Sequence, residues 1–235
     1  MKNFANAELT SYSLQLRNIS DIPESERGLC SFNTRYLFGI FVSLAGFFLL
    51  SALTQLSRPW SFESSLLLSL HSYASPFFDQ LALIASASVT VAGVIVLIFL
   101  VYRRAWYAST FLLAATLGTE AIAQVTKHIF HHSRPQLWDV ISHQSSYGFP
   151  SGHAAVSMSI VLALFSISIP QSWDPAHKLA CVAFVAAVGF SRMYLGVHFP
   201  IDILAGWSLA IAWVCMLRLM SVSYTHLTLP TSDLV

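Results

Sequence analysis

Six stretches of this chain are long apolar runs, and they leave little freedom in how it can fold. They are Tyr36–Leu56, Leu81–Tyr102, Ala105–Thr126, Ala154–Trp173, Leu179–Val197 and Ile203–Leu217. A helix needs about 20 mostly apolar residues to cross the hydrocarbon core of a bilayer. In lipid the backbone must satisfy its own polar groups, so such runs are expected to be helical. Four of the six are free of charge; the third holds Glu120 and the fifth holds Arg192. The last is short and has to borrow Pro200–Asp202 and Arg218–Met220 to span. Between the first two runs, Trp60–Phe78 mixes leucines and aromatics with serines, Glu63 and His71, and reads as an interfacial amphipathic helix ending near Pro76. The expected fold class is therefore all-α: a polytopic membrane protein with six transmembrane helices and an interfacial helix between the first two.

Composition agrees. Charged residues make up 10% of the chain and hydrophobic residues 55%, whereas soluble chains carry roughly 25% charged residues. The net charge of +1 gives no basic field to attract nucleic acid. The three cysteines, Cys30, Cys181 and Cys215, form neither a metal spacing nor a disulfide framework. Residues 1–35 are polar and mixed in charge, without the apolar core of a secretory signal, and are expected to be a cytoplasmic N-terminal segment. Residues 36–220 form the expected membrane domain, and 221–235 a tail. Within that tail Ser223–Thr231 reads like a translated sequencing adapter, which predicts that the natural chain departs from this one beyond Met220.

Basic residues prefer the cytoplasmic side of membrane proteins. With the N-terminus inside and six spans, Lys2, Arg17, Arg27, Arg35, Arg103, Arg104, Lys178 and Arg218 lie inside. Arg58, Lys127, Arg134 and Arg192 lie outside. Three of these four exceptions fall beside three unusual stretches: Lys127–Pro135, Tyr147–His153 and Ser191–Asp202. Counting spans puts all three on the same, external face.

The residue types there suit a phosphoryl group. Lys127, Arg134 and Arg192 are cations, and the arginine fork matches phosphate oxygens. Pro150-Ser151-Gly152 reads as a helix start, whose backbone N–H groups favour an anion, and Gly152 permits close approach. His153 and His198 are suited to nucleophilic and proton-transfer roles. Asp202 follows His198 by four residues. If Pro200 opens the last span, Asp202 sits in its first turn and can reach back to that ring, as in a triad.

Lys-x6-Arg-Pro, then Pro-Ser-Gly-His, then Ser-Arg-x5-His-x3-Asp resembles the three-part signature of the type 2 phosphatidic acid phosphatase superfamily. Vanadium haloperoxidases and bacterial non-specific acid phosphatases belong to the same superfamily. All three parts are complete here, in order, over Lys127–Asp202. The resemblance implies His198 as a nucleophile forming a phosphohistidine, Asp202 as its orienting partner and His153 as proton donor to the leaving group. It implies Lys127, Arg134, Ser151, Gly152 and Arg192 as the phosphate cradle, with no metal and no cofactor.

The expectation is a metal-independent hydrolase of a lipid phosphate or diphosphate: undecaprenyl diphosphate, phosphatidylglycerophosphate or phosphatidic acid. Its partners would be that lipid and the bilayer, its location a bacterial inner membrane, and its site the periplasmic or outer face. A lipid phosphotransferase, a non-catalytic transporter and a haloperoxidase are the alternatives on the same scaffold. Glu120, about two turns before Lys127 on the same face, reads as structural. His128, His131 and His132 read as loop or interface residues, because no further metal ligand accompanies them.

Overall fold

A computed structural model describes residues 24–56, 61–140, 145–167 and 174–227. Among them lie seven helices and no strand: α1 (Glu24–Gln55), α2 (Ser61–His71), α3 (Pro76–Tyr102), α4 (Trp106–Phe130), α5 (Gly152–Ile167), α6 (Pro175–Tyr194) and α7 (Pro200–Leu227). Five contain a segment long and apolar enough to cross a membrane: Thr34–Gln55 in α1, α3, α4, α6 and Pro200–Ser221 in α7. The sixth apolar helix, α5, has 16 described residues, and the expected continuation to Trp173 lies outside the described residues. Arg58 and Trp60 lie outside them too. The site lies wholly within the unit Tyr36–Val235.

Local chemistry sets the helix ends. Prolines open α3, α6 and α7, where a missing N–H costs nothing and the fixed φ is already helical. Ser75 and Asp174 precede the first two, and their side chains accept the N–H of Phe78 (3.4 Å) and of His177 (2.8 Å). The His177 bond holds the Asp174 carboxyl below the usual carboxylate range. α4 runs past Thr126 to Phe130, then stops as His131 turns left-handed (φ 47) and gives its N–H to the Lys127 carbonyl. α6 ends at Tyr194, before the expected Val197, because Gly196 takes φ +67. α7 continues to Leu227, through the first residues of the stretch read as a tail.

α5 packs against α3, α4, α6 and α7. Most of its buried positions are small (Gly152, Ala154, Ala155, Ser157, Ser159 and Ala163), with Ile160 and Val161 the larger ones. Lipid gives helices no hydrophobic reason to associate, so close packing of small residues has to supply it. A close approach to backbone joins the start of α5 to the second turn of α7, where a Cβ on Gly206 would stand 2.6 Å from the Ser151 carbonyl oxygen. α1 packs on α7 through Gly39, facing Cys215 Sγ, and Gly46, facing Ser208. Phe47 of α1 meets Phe149, just before α5, with ring centroids 5.6 Å apart. The outer faces of α1 and α3 expose Phe38, Phe41, Phe48, Ile84, Ile95 and Ile98, a surface made for lipid. The chain is an integral membrane protein.

The Gly206 contact is against backbone, which cannot swing away. Gly206→Ala is expected to lower stability by about 1–3 kcal/mol, measured by thermal unfolding in detergent. Gly46→Ala, whose Cβ would meet Ser208 Oγ at 3.7 Å, is expected to leave it unchanged or raised.

Candidate active site

The three stretches converge at one end of the bundle. Lys127 comes from the last turn of α4, Arg134 from the following segment, and His153 from the first turn of α5. Arg192 comes from the end of α6 and His198 from the turn into α7. With Gly152 these side chains line one cavity of about 450 Å³. Ser151 and Asp202 are fully buried behind it.

Arg134 is the most heavily engaged of the cations. Its Nε donates to the Ser146 carbonyl (2.8 Å), Nη1 to the Val197 carbonyl (2.8 Å), and Nη2 to Ser146 Oγ and the Tyr147 carbonyl (both 3.2 Å). Nη1 also lies 3.1 Å from His198 Nε2. A guanidinium can only donate, so His198 Nε2 must present its lone pair and the ring proton must sit on Nδ1. Burial weakens the hold of Arg134 on its proton and Asp202 opposes that, with a net lowering.

His198 Nδ1 faces Asp202 Oδ2 at 3.4 Å, in the direction this tautomer requires. Oδ2 also accepts the Phe199 backbone N–H at 2.9 Å, which fixes the carboxylate in the first turn of α7. The Asp202 carbonyl accepts the Ser151 N–H at 2.9 Å and so joins the second and third motifs. That bond occupies the Ser151 donor, leaving the anion-facing backbone N–H groups to the first turn of α5. Burial pushes His198 down to about 3, with Arg134 and Arg192 adding to the effect and Asp202 opposing it. The ring is therefore neutral at physiological pH.

The other two cations are held from the side. Arg192 is 2% exposed and its Nη1 donates to Ser86 Oγ of α3 at 2.6 Å. Lys127 Nζ donates to Ser146 Oγ at 3.3 Å. Glu120 accepts from Gln124 Nε2 at 2.5 Å, and its Oε2 would stand 3.0 Å from a Cβ on Gly152. It is a helix-packing carboxylate that also lines the cavity.

Sequence reasoning missed three residues. Ser146 ties Lys127 to Arg134, but it sits in an irregular segment with no periodicity to mark it. Ser86 aims Arg192 and was one serine among several in an apolar run. The third is His132. His128 and His131 pack against Tyr147, with ring centroids 6.2 and 4.6 Å away. His132 lies in the loop as expected, but it is buried there, and its Nδ1 lies 3.4 Å from Asp202 Oδ1. The left-handed turn at His131 sends it inward. Among the described residues, no three His, Cys, Asp or Glu side chains group as metal ligands.

Residues 108–225, just over half of the chain, match the model of the PAP2 superfamily. The chain belongs to this superfamily. It is 35% identical over 116 residues to the phosphatidylglycerophosphatase B of Bacillus subtilis, covering 47% of this chain and 56% of that protein. It is 28% identical over 113 residues to an undecaprenyl-diphosphatase of Sulfolobus acidocaldarius, covering 46% and 50%. The chain thus spans about half the length of these curated relatives. The crystal structure of Aquifex aeolicus LpxE has the same fold, with a TM-score of 0.54 at 22% identity over 68% of this chain and 96% of that one. All three PAP2 motifs lie within the matched stretch; Ser86 lies outside it.

No lysine can serve the carbonyls that Arg134 serves at once. Arg134→Lys is expected to destabilise the protein by about 3 kcal/mol, the scale of one or two bonds from a charged donor, measured by thermal unfolding in detergent.

Proposed function

We propose that the protein is a metal-independent lipid phosphatase working through phospho-His198. The carrying observation is the shape and lining of the cavity. Lys127, Arg134, Arg192, His153 and His198 gather at its polar part. Its other walls are apolar side chains of α3 (Val89, Val94, Leu97), α4 (Leu112, Leu113, Leu117) and α5 (Val156, Ile160). A soluble ester has no use for such walls, whereas a phosphate carried on a hydrocarbon chain fills both parts.

The geometry supports a two-step displacement. The three cations and the first-turn N–H groups of α5 hold the phosphoryl oxygens, and His198 Nε2 attacks phosphorus. His153, which takes up a proton as the bound phosphate's negative charge offsets the surrounding cations, gives that proton to the departing oxygen as the P–O bond breaks. The His198 proton stays on Nδ1 beside Asp202, whose negative charge stabilises the phosphorylated ring. A water then attacks phosphorus, passing its proton to His153, and the N–P bond breaks to release phosphate. Most of the catalysis comes from positioned charge, as in phosphoryl transfer generally.

The substrate is a lipid phosphate or diphosphate, with undecaprenyl diphosphate, phosphatidylglycerophosphate and phosphatidic acid as the reading's candidates. The similar proteins named above support that class. In this reading the chain has six spans, with α5 as the start of the fourth and α2 at the interface, and the site faces outward from a bacterial inner membrane. The polar end of the bundle carrying all three motifs supports it.

Purified protein in detergent with EDTA is expected to release free phosphate from members of a lipid phosphate panel. His198→Ala should lose this activity by on the order of 10⁴-fold or more. Equal release by wild type and His198→Ala would sink the hydrolase reading. Labelled phosphate passing to an alcohol acceptor without free phosphate would replace it with the phosphotransferase. Vanadate is expected to inhibit.

The nucleophile must be neutral to attack. Because His198 is held near 3 against about 6.5 for a free imidazole, its protonation removes activity only near pH 3. In a kcat/KM profile, which reports the free enzyme, no acid-side loss attributable to His198 is expected near pH 6.5.

A further inference from the structure

Asp202 is a fully buried carboxylate with imidazoles on both sides. Oδ2 faces His198 Nδ1, and Oδ1 faces His132 Nδ1, each at 3.4 Å. Neither His132 Nδ1, Asp202 Oδ1 nor His198 Nδ1 has a closer polar partner among the described residues. The His132 ring is 8% exposed and lies between Phe149 and Phe199, with centroids 6.4 and 6.0 Å away. Its carbonyl accepts the Gly148 N–H at 2.8 Å, which fixes the backbone that carries it. A purely packing role at this position would need no nitrogen facing the carboxylate.

We propose that His132 is a positioning residue, whose Nδ1–H holds Asp202 Oδ1 so that Oδ2 stays turned to the nucleophile's Nδ1–H. The inference rests on the hydrolase reading above. A carboxylate anchored at Oδ2 by only the Phe199 N–H can rotate about its own bond; a second donor on Oδ1 stops that rotation. The same donor draws charge from the carboxylate, which keeps the ring proton on His198 while Nε2 bonds to phosphorus. Contacts of 3.4 Å are long for a resting site and are expected to shorten as positive charge develops on the ring.

His132→Phe keeps the ring and removes the donor, whereas His132→Asn keeps an N–H donor at the same branch point. His132→Phe is expected to lower kcat by about 10- to 100-fold, the loss of one bond to a buried charge, with KM within about twofold of wild type. His132→Asn is expected to stay within about threefold of wild type. In an Asp202→Ala background, His132→Phe should add no further loss, since the two act as one unit. Equal kcat for His132→Phe and wild type overturns the inference. So does a His132→Asn loss as deep as that of His132→Phe in folded protein.

A substrate-free measurement separates this from the hydrolase reading. In ¹⁵N-histidine spectra His132 should be the Nδ1–H tautomer, and its signal should move in Asp202→Ala. An Nε2–H tautomer overturns the inference whatever the activity. If instead no lipid phosphate is hydrolysed by wild type, the hydrolase reading fails while this measurement still decides the contact.

Discussion

The site depends on one buried carboxylate. Removing a charge from water deep in a protein is costly unless partners surround it, and Asp202 is fully buried. Its four partners come from three places in the chain. The Phe199 N–H and the His198 ring precede it in sequence, His132 comes from the segment after α4, and the Ser151 N–H reaches its carbonyl from the start of α5. Satisfying this one residue therefore brings all three motif-bearing segments to the same end of the bundle. The glycine at 206, one turn later, is what lets the two helix starts come close enough for the carbonyl contact.

Around that junction the cations divide their labour. Arg134 spends most of its donors on backbone carbonyls and on His198 Nε2. It shapes the turn and fixes the His198 tautomer as well as offering charge. Lys127 and Arg192 each lean on a single serine hydroxyl, so most of their donors remain for an anion. The distribution explains how three like charges can sit in one cavity: each is tethered by neutral oxygens, Lys127 and Arg134 sharing Ser146 and Arg192 held from α3.

Much of this was legible in the sequence. Long apolar runs announce helices whatever the tertiary context, because lipid leaves the backbone no other option. Among the described residues all six runs fall largely on helices, with prolines, a glycine and one left-handed histidine adjusting the ends. The motif residues were legible because their spacing tells which helix end each occupies, and alternation of direction puts those ends together. The residues that hold them were not. Ser86 and Ser146 are common residue types whose role lies in distance to an arginine or a lysine far along the chain. His132 was hidden by its neighbours: three histidines in five residues look like a solvent-side cluster. Only the left-handed turn at His131 separates the inward ring from the two that face Tyr147.

The Ser86–Arg192 bond carries a consequence for how such a protein can be divided. Every motif lies in the second half of the chain, yet one arginine of the proposed phosphate cradle is aimed by a hydroxyl from the third helix, and Phe149 is braced by Phe47 from the first. The motif-bearing half is thus not a self-sufficient module. Moved onto a different pair of leading helices, it would keep every signature residue and lose the aim of one of its cations, so recombination between relatives has to preserve a serine that no signature mentions.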